Sequence, residues 1–375
     1  MELFSKYYLH DLALNNRMVM APMTRARAGK QRTPNNTMKQ YYTQRAGAGL
    51  IVTEATDISP QAAGRDQCPG IHSDEQVSGW RDIVDEVHRR QGKIVMQLNH
   101  CGRISDSSFL GGNGSIVAPS AIAIDGVHYH TANGTPKAYE TPKALTADEI
   151  TALLDDYHYA AQRAKQAGFD GVEIAASYGN LIDTFIQSTT NLRSDQYGGN
   201  TANRIRFLLQ VIDAVGSVFP LSRVGVRISP NSPINDMGCP DFRETFLDLA
   251  AALNDFSLAY LHIVDGLSCG FHELGPQLQL TEFRQVFSGT LIGNGGYNRD
   301  SSERAIANRQ ADLIAYGLLF INNPDLPERF LHDLPLNPPA EFSYFYQGGS
   351  KGYIDFPTFQ QTVHSFDSFG LAPVT

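Results

Sequence analysis

The sequence has little of several things, and each shortage excludes a class. It holds only four cysteines, Cys68, Cys101, Cys239 and Cys269, in 375 residues. They form no CxxC pair and are too sparse for a disulfide framework, so packed, reduced thiols are expected. There is no block of Lys or Arg, and the net charge is −9. Nucleic acid and anionic membrane surfaces both require a clustered basic footprint, so neither is an expected partner. No apolar run approaches the length of a membrane span, and the opening stretch MELFSKYYLHDLALNNR has no apolar core of the signal-peptide type. The closing GLAPVT carries no retention or peroxisomal signal. A cytoplasmic, reducing location is the resulting expectation. Internal repeats and low-complexity tracts are also missing, and no metal site is expected.

What is present is an alternation of short β-rich apolar runs and helical patterns. Length alone would suggest about two or three domains. A barrel of eight β/α units escapes that rule, because one core is built from about 250 residues or more. The expected strands are residues 18–21, 50–54, 94–98, 171–175, 224–229, 260–264, 290–293 and 313–317. Several are continuous apolar runs, which a parallel sheet buried on both faces requires. Helical spacing marks residues 74–91 and 146–167, the latter opening with the capping-box pattern Thr146-x-x-Glu149. Residues 203–219 and 243–256 repeat the amphipathic theme, and 324–330 read as a short final helix started by proline. The expected fold is α/β, a single (β/α)8 TIM barrel, with an open doubly wound sheet as the alternative on pattern alone. Residues 102–146, rich in Gly, Pro, Ser, Asn and Thr, follow the third strand and are expected to cap the barrel mouth. With no other linker, residues 1–375 read as one domain.

Some residues stand out against this background. Ala21-Pro22-Met23-Thr24-Arg25 ends the first strand, and taken alone it is a structural turn. Arg227 lies amid apolar strand residues and must find an anionic or acceptor partner, since burying an unpaired charge is costly. Gln97 is either a satisfied core amide or a ligand contact. Gly293-Asn294-Gly295-Gly296-Tyr297 follows the seventh strand and Tyr316-Gly317-Leu318 the eighth. Glycines let backbone N–H groups approach a phosphate, and loops seven and eight form the phosphate site of many barrels.

Together with Tyr41-Tyr42-x-Gln44-Arg45-Ala46, Thr53-Glu54-Ala55-Thr56, Pro69-Gly70-Ile71, Asp74-Glu75-Gln76-Val77, Gly171-Val172-Glu173-Ile174, Asp195-x-Tyr197-Gly198-Gly199, Asn322-x-Pro324-Asp325-Leu326 and Gly352-Tyr353-Ile354-Asp355, these pieces resemble the old yellow enzymes in the family's order. The resemblance implies FMN at the barrel mouth and reduction of activated alkenes. NAD(P)H gives hydride to the flavin, and the flavin passes it to the substrate while a tyrosine supplies a proton. It also implies flavin contacts from Pro22, Met23, Thr24, Ala55, Gln97 and Arg227, with Thr24 at the flavin edge and Gln97 on its pyrimidine. Gly295, Gly296, Gly317 and Leu318 would form the phosphate site, and Tyr346 would line the pocket.

The departures from the family fall at the reacting centre. Its fourth-strand motif reads Val-Glu-Ile-His, then Asn or His three positions on, then Tyr two further. The same stretch here puts Ala175 and Tyr178 at the carbonyl-binding positions and Asn180 at the proton-donor position. One such carbonyl donor is worth about 10²–10³ in rate. General acid help adds roughly 10²–10⁴. Tyr178 is left as the one donor or acid. Asn99 stands where similar proteins have tryptophan, which with Ala175 implies a reshaped pocket suited to a bulky, polycyclic small molecule. Leu318 replaces a phosphate-binding arginine, and His100, next to Asn99, is expected to be packed rather than catalytic.

Three functions follow as expectations. The first is a specialised FMN- and NAD(P)H-dependent oxidoreductase, of the kind found in secondary metabolism, with Tyr178 and Thr24 as its catalytic residues. The second is a non-redox isomerase or cyclase on the same barrel, suggested by the joint loss of the usual His/Asn/Tyr set. The third is a scaffold that keeps only the fold.

Overall fold

The structure, a computed structural model, describes residues 1–110, 114–128, 131–132 and 134–368. Eight parallel strands form its centre: β1 (Met18–Met20), β2 (Leu50–Val52), β3 (Ile94–Asn99), β4 (Gly171–Ala176), β5 (Val224–Ile228), β6 (Tyr260–Val264), β7 (Leu291–Asn294) and β8 (Leu313–Tyr316). Each pairs with the next, and β8 returns to β1 with Ile314 opposite Met18. That last pairing closes the sheet and rules out the open alternative. Each strand coincides with an expected run to within two residues at either end.

Alternation along the strands divides their side chains between two apolar layers. Val19, Leu50, Val52, Val95, Tyr260, Ile292 and Leu313 share the inner cluster with Leu9, Leu12 and Leu14. The last three belong to an N-terminal hairpin, Tyr7–Leu9 paired antiparallel with Leu12–Leu14. Met18, Met20, Ile51, Met96, Val172 and Ile174 point outward into the helical layer. The helix Asp74–Arg89 is started by a Ser73/Gln76 capping box, and Ala147–Gln166 by the expected Thr146/Glu149 box.

Boundaries differ where local chemistry decided them. The helix Thr201–Gly216 begins two residues early because the Asn200 side chain accepts from the Asn203 amide. Phe242–Ala252 ends before residue 256, its chain tightening into the 3₁₀ turn Leu253–Asp255. The proline-started helix is Leu326–Leu331, begun with Pro327 rather than Pro324, and a further helix, Phe359–Ser368, follows it. Within 102–146, Val117–Ala118 pairs with Lys143–Ala144 and Val127–His128 with Lys137–Ala138. Two-residue pairings leave no periodicity to read. Among the described residues, no helix is long and apolar enough to cross a membrane.

The hairpin's leucines fill the end of the barrel opposite the mouth, so their loss should cost as much as a core deletion. Leu14→Ala is expected to lower stability by about 2–5 kcal/mol in guanidinium unfolding. A loss well below about 1 kcal/mol would show that the plug carries no weight.

Candidate active site at the barrel mouth

The turn after β1 is set by a carboxylate from β2's end. Glu54 accepts from the amides of Arg25 (3.0 Å) and Ala26 (3.1 Å), and the Tyr42 hydroxyl reaches its other oxygen at 3.3 Å. The Arg25 side chain is wholly buried and donates to the carbonyls of Phe345 (3.0 Å) and Gly352 (2.7 Å). Pro22 is buried by this bracing, while Met23, Thr24 and Ala55 stay half-buried at the mouth. Met23 also borders Gly317, where an added Cβ would sit 3.2 Å from its sulfur.

Beneath the turn lies a polar floor inside the barrel. Gln97 donates from Nε2 to Glu173 Oε1 at 2.7 Å, and His262 Nδ1 meets Glu173 Oε2 at 2.8 Å. A carboxylate only accepts, so the Gln97 nitrogen must face it and its Oε1 remains as an acceptor for another group. Arg227 donates from Nη2 to Asn294 Oδ1 at 2.9 Å, and Asn294 donates onward to the Ala315 carbonyl at 2.8 Å. Two nitrogens of this floor, Arg227 Nε and His262 Nε2, are buried without a hydrogen-bond partner. Burial pushes the Glu173 carboxyl up, but His262, Arg227 and Gln97 together hold it below the usual range.

The loop after β7 is shaped by two glycines. Gly295 and Gly296 have φ of 118° and 100°, a backbone that side chains rarely adopt. Asp265 fixes the loop, accepting from the Asn294 amide at 3.0 Å and from the Tyr297 hydroxyl at 2.6 Å. A Cβ on Gly266 would collide with the Gly295 carbonyl, so the neighbouring chain also needs glycine. Gly317 precedes Leu318, whose side chain is 59% exposed and brings no charge.

At the end of β4 the altered residues take up their positions. Ala175 is buried. Tyr178 has φ of 56°, fixed by its amide on Ser229 Oγ (2.8 Å) and by Asn235 Nδ2 on its carbonyl (2.7 Å). Its ring lies 5.1 Å from the Arg227 guanidinium carbon, and its hydroxyl is 4.0 Å from Cys269 Sγ. Burial pushes the phenol up to about 12, so it holds its proton at neutral pH. Asn180 is half-buried and opens the helix Leu181–Ile186. Asp183 in that helix accepts from the Gly179 amide and from Gln187 Nε2, both at 2.9 Å. Asn99 is buried, with Nδ2 on Cys101 Sγ at 3.3 Å and Oδ1 unpartnered. His100 Nδ1 accepts from the Gly102 amide at 3.0 Å, and burial lowers the imidazole to about 3, which keeps it a neutral brace. Tyr346 lies against Arg65.

The structure therefore joins Gln97, Arg227 and Tyr178 in one cluster, and Met23 with Gly317 in another. Sequence reasoning gave no role to Glu173, His262, Asn294 or Asp265. The signal was available for the first two, since each is a polar residue within an apolar strand, as Arg227 is.

The chain matches the model of the NADH:flavin oxidoreductase / NADH oxidase family over residues 2–337. It is 37% identical to 12-oxophytodienoate reductase 1 of Oryza sativa subsp. japonica over 373 residues, covering 96% of this chain and 93% of the rice protein. With 12-oxophytodienoate reductase 2 of Arabidopsis thaliana the identity is 35% over 365 residues, covering 96% of each. Among solved structures, the old yellow enzyme homologue from Zymomonas mobilis superposes with a TM-score of 0.92 at 40% identity, covering 96% of this chain and all of that one. Morphinone reductase does so with a TM-score of 0.90 at 39% identity, covering 96% and 97%.

Asp183, which braces the Tyr178–Gly179 turn, yields a test in pH. Burial raises its carboxyl from the usual 3.8 to about 6, against the Gln187 and Gly179 bonds. A folded-state value above the unfolded one gives stability that is present below about pH 4 and lost as pH rises to about 6. Relative to Asp183→Asn, the wild type should lose about 3 kcal/mol of unfolding free energy between about pH 4 and 7. A difference that stays flat with pH would contradict the assignment.

Proposed function

The chain belongs to the NADH:flavin oxidoreductase / NADH oxidase family; from that premise we propose that it reduces an activated alkene or related unsaturated substrate which does not depend on a pair of carbonyl-binding side chains. FMN is its cofactor and a reduced nicotinamide its reductant, in keeping with a morphinone reductase structure in complex with tetrahydroNAD. The residues present fit that cofactor. The unpartnered Arg227 Nε and the free Gln97 acceptor suit a pyrimidine edge, and Pro22, Met23, Thr24 and Ala55 border the space above them. Gly295, Gly296 and Gly317 offer backbone N–H groups for the phosphate, with Leu318 adding only an apolar contact. When bound, FMN supplies the two-electron centre between nicotinamide and substrate.

This chain's own side chains do the rest. Arg227 lies under the cofactor with the neutral Asn294 as its hydrogen-bond partner, so no direct carboxylate pair offsets its charge there. Thr24 stands at the cofactor edge. Tyr178 offers one hydroxyl, protonated at neutral pH, as hydrogen-bond donor or proton source. Ala175 donates nothing, and the Asn180 amide does not release a proton. A substrate polarised by its own chemistry suits such a site: an iminium, an unsaturated aldehyde or a quinone-like group. Ala175 and Asn99 also leave space that favours a bulky, polycyclic molecule. The entire chain, with the 102–146 loop beside the mouth, works as one FMN-binding domain in the cytoplasm on this reading. The observation that carries the proposal is the polar floor of Gln97, Glu173, His262 and Arg227 standing beside Ala175, Tyr178 and Asn180 at the reacting centre. Those last three residues also favour the second reading, a non-redox isomerase or cyclase.

The test is Tyr178→Phe with cinnamaldehyde as electron acceptor. Turnover is expected to fall by about 10²–10⁴-fold while reduction by NADPH proceeds at the wild-type rate. Unchanged turnover would remove Tyr178 from the chemistry. Product formation by the wild type with no nicotinamide present would replace the redox reading with the isomerase or cyclase.

A further inference from the structure

Arg65 carries a cation at the mouth that forms no ion pair among the described residues. Its position follows from the strand that precedes it. Thr56–Asp57 runs parallel to the end of β3, with Asp57 opposite Asn99, and Gly64 then packs against Cys101. Arg65 thus follows directly on the Gly64–Cys101 contact, just past the end of β3. Its guanidinium carbon sits 4.0 Å from the centre of the Tyr346 ring. On the side of the 102–146 segment, its charge acts on the phenol of Tyr139 and the imidazole of His128, whose rings meet edge-on at 4.9 Å.

Its Nη1 is buried and has no hydrogen-bond partner. Among the described residues it is the one arginine, exposed ones aside, that has neither a hydrogen bond nor an ion pair. No neighbouring carboxylate among the described residues pairs with Arg65, and the adjacent Asp66 accepts from Gln67 Nε2 at 3.3 Å instead. Asp57 pairs with Arg32 at 2.8 Å, Asp106 and Glu140 both pair with Lys137, and Glu54 holds the turn amides. A guanidinium over a ring face keeps its in-plane N–H fork available, and aromatic walls exclude the water that would screen it. A fork of that kind matches the two oxygens of a carboxylate or phosphate.

We propose that Arg65 is an oxyanion-binding subsite of the pocket, which holds a carboxylate or phosphate oxygen pair on a small-molecule ligand while the unsaturated group lies over the cofactor. The subsite rests on the proposed function only for what fills the remainder of the pocket. Two sources carry this chemistry, an anionic group on the substrate and a phosphate on the nicotinamide coenzyme.

The experiment is calorimetric titration of the FMN-loaded protein with benzoate and with benzamide, its neutral counterpart, and with the oxidised coenzymes NADP+ and NAD+, which give the flavin no hydride. Wild type, Arg65→Gln and Arg65→Lys are compared. Binding is read without turnover, so failure of the alkene-reductase reading would not mask the result. Benzoate is expected to bind about ten- to a hundred-fold more tightly than benzamide to the wild type. Arg65→Gln should erase that preference and Arg65→Lys keep part of it, which assigns the oxyanion to substrate. Loss in Arg65→Gln of a preference for NADP+ over NAD+, with benzoate binding unchanged, would also support the subsite and assign it to the coenzyme. If neither preference changes in either variant, the proposal is overturned.

Discussion

A charge buried in the centre of the barrel constrains everything above it. Glu173 is fully inaccessible, and an isolated carboxylate there would be prohibitively costly. It survives by taking hydrogen bonds from Gln97 and His262, with Arg227 close enough to help hold it ionised. Each bond dictates an orientation. Gln97 must turn its nitrogen down and its oxygen up, and His262 must carry its proton on Nδ1 when neutral. Burial lowers the imidazole in spite of Glu173, which favours that neutral form. Arg227 is fixed separately by Asn294, whose own amide is tied to the next strand. The floor is rigid before any ligand arrives, which is what preorganised recognition requires.

A second set of buried polar groups holds the rim. Glu54 ties the turn after β1 to Tyr42, and Arg25 ties it to the carbonyls of the C-terminal segment at Phe345 and Gly352. Arg45 donates to the carbonyls of Phe320 and Ile321 at 2.7 and 2.8 Å, bracing the chain just after Leu318. Burial lowers its guanidinium to about 10, still well above neutrality, so it stays a donor. These contacts give a physical reason for three motifs that otherwise look unrelated: the Tyr-Tyr-x-Gln-Arg helix, Thr-Glu-Ala-Thr after β2, and the distant Gly-Tyr-Ile-Asp.

The strands were legible because burial on both faces leaves continuous apolar runs bounded by turns. Helices with strong caps, such as Ala147–Gln166, were legible for a similar reason. The short helices Asn36–Gln44, Leu280–Val286 and Arg299–Ala307 escaped, since two turns carry too little periodicity to separate them from loops. At the site, the residues at strand ends could be placed by resemblance, and Arg227 by the cost of its charge. Glu173 obeys the same rule but was hidden inside a motif whose apolar members drew attention, and His262 was passed over within the apolar run 260–264. Asp265 was unreadable, because its partners Asn294 and Tyr297 are set by a loop path that the sequence does not encode locally. Arg65 was missed because a single arginine in a loop ordinarily faces water.

The structure thus separates two parts of one site. On the proposed reading, the part that receives the cofactor is the cross-braced floor of Gln97, Glu173, His262 and Arg227, and the part that meets the substrate carries Ala175, Tyr178 and Asn180. The central claim is that the first part still works. A visible absorption spectrum of the purified protein, followed under anaerobic conditions by addition of NADPH, tests it most directly. The account expects a flavin spectrum that bleaches when NADPH is added. A flavin that stays oxidised, or no flavin bound even after FMN is supplied, would contradict it.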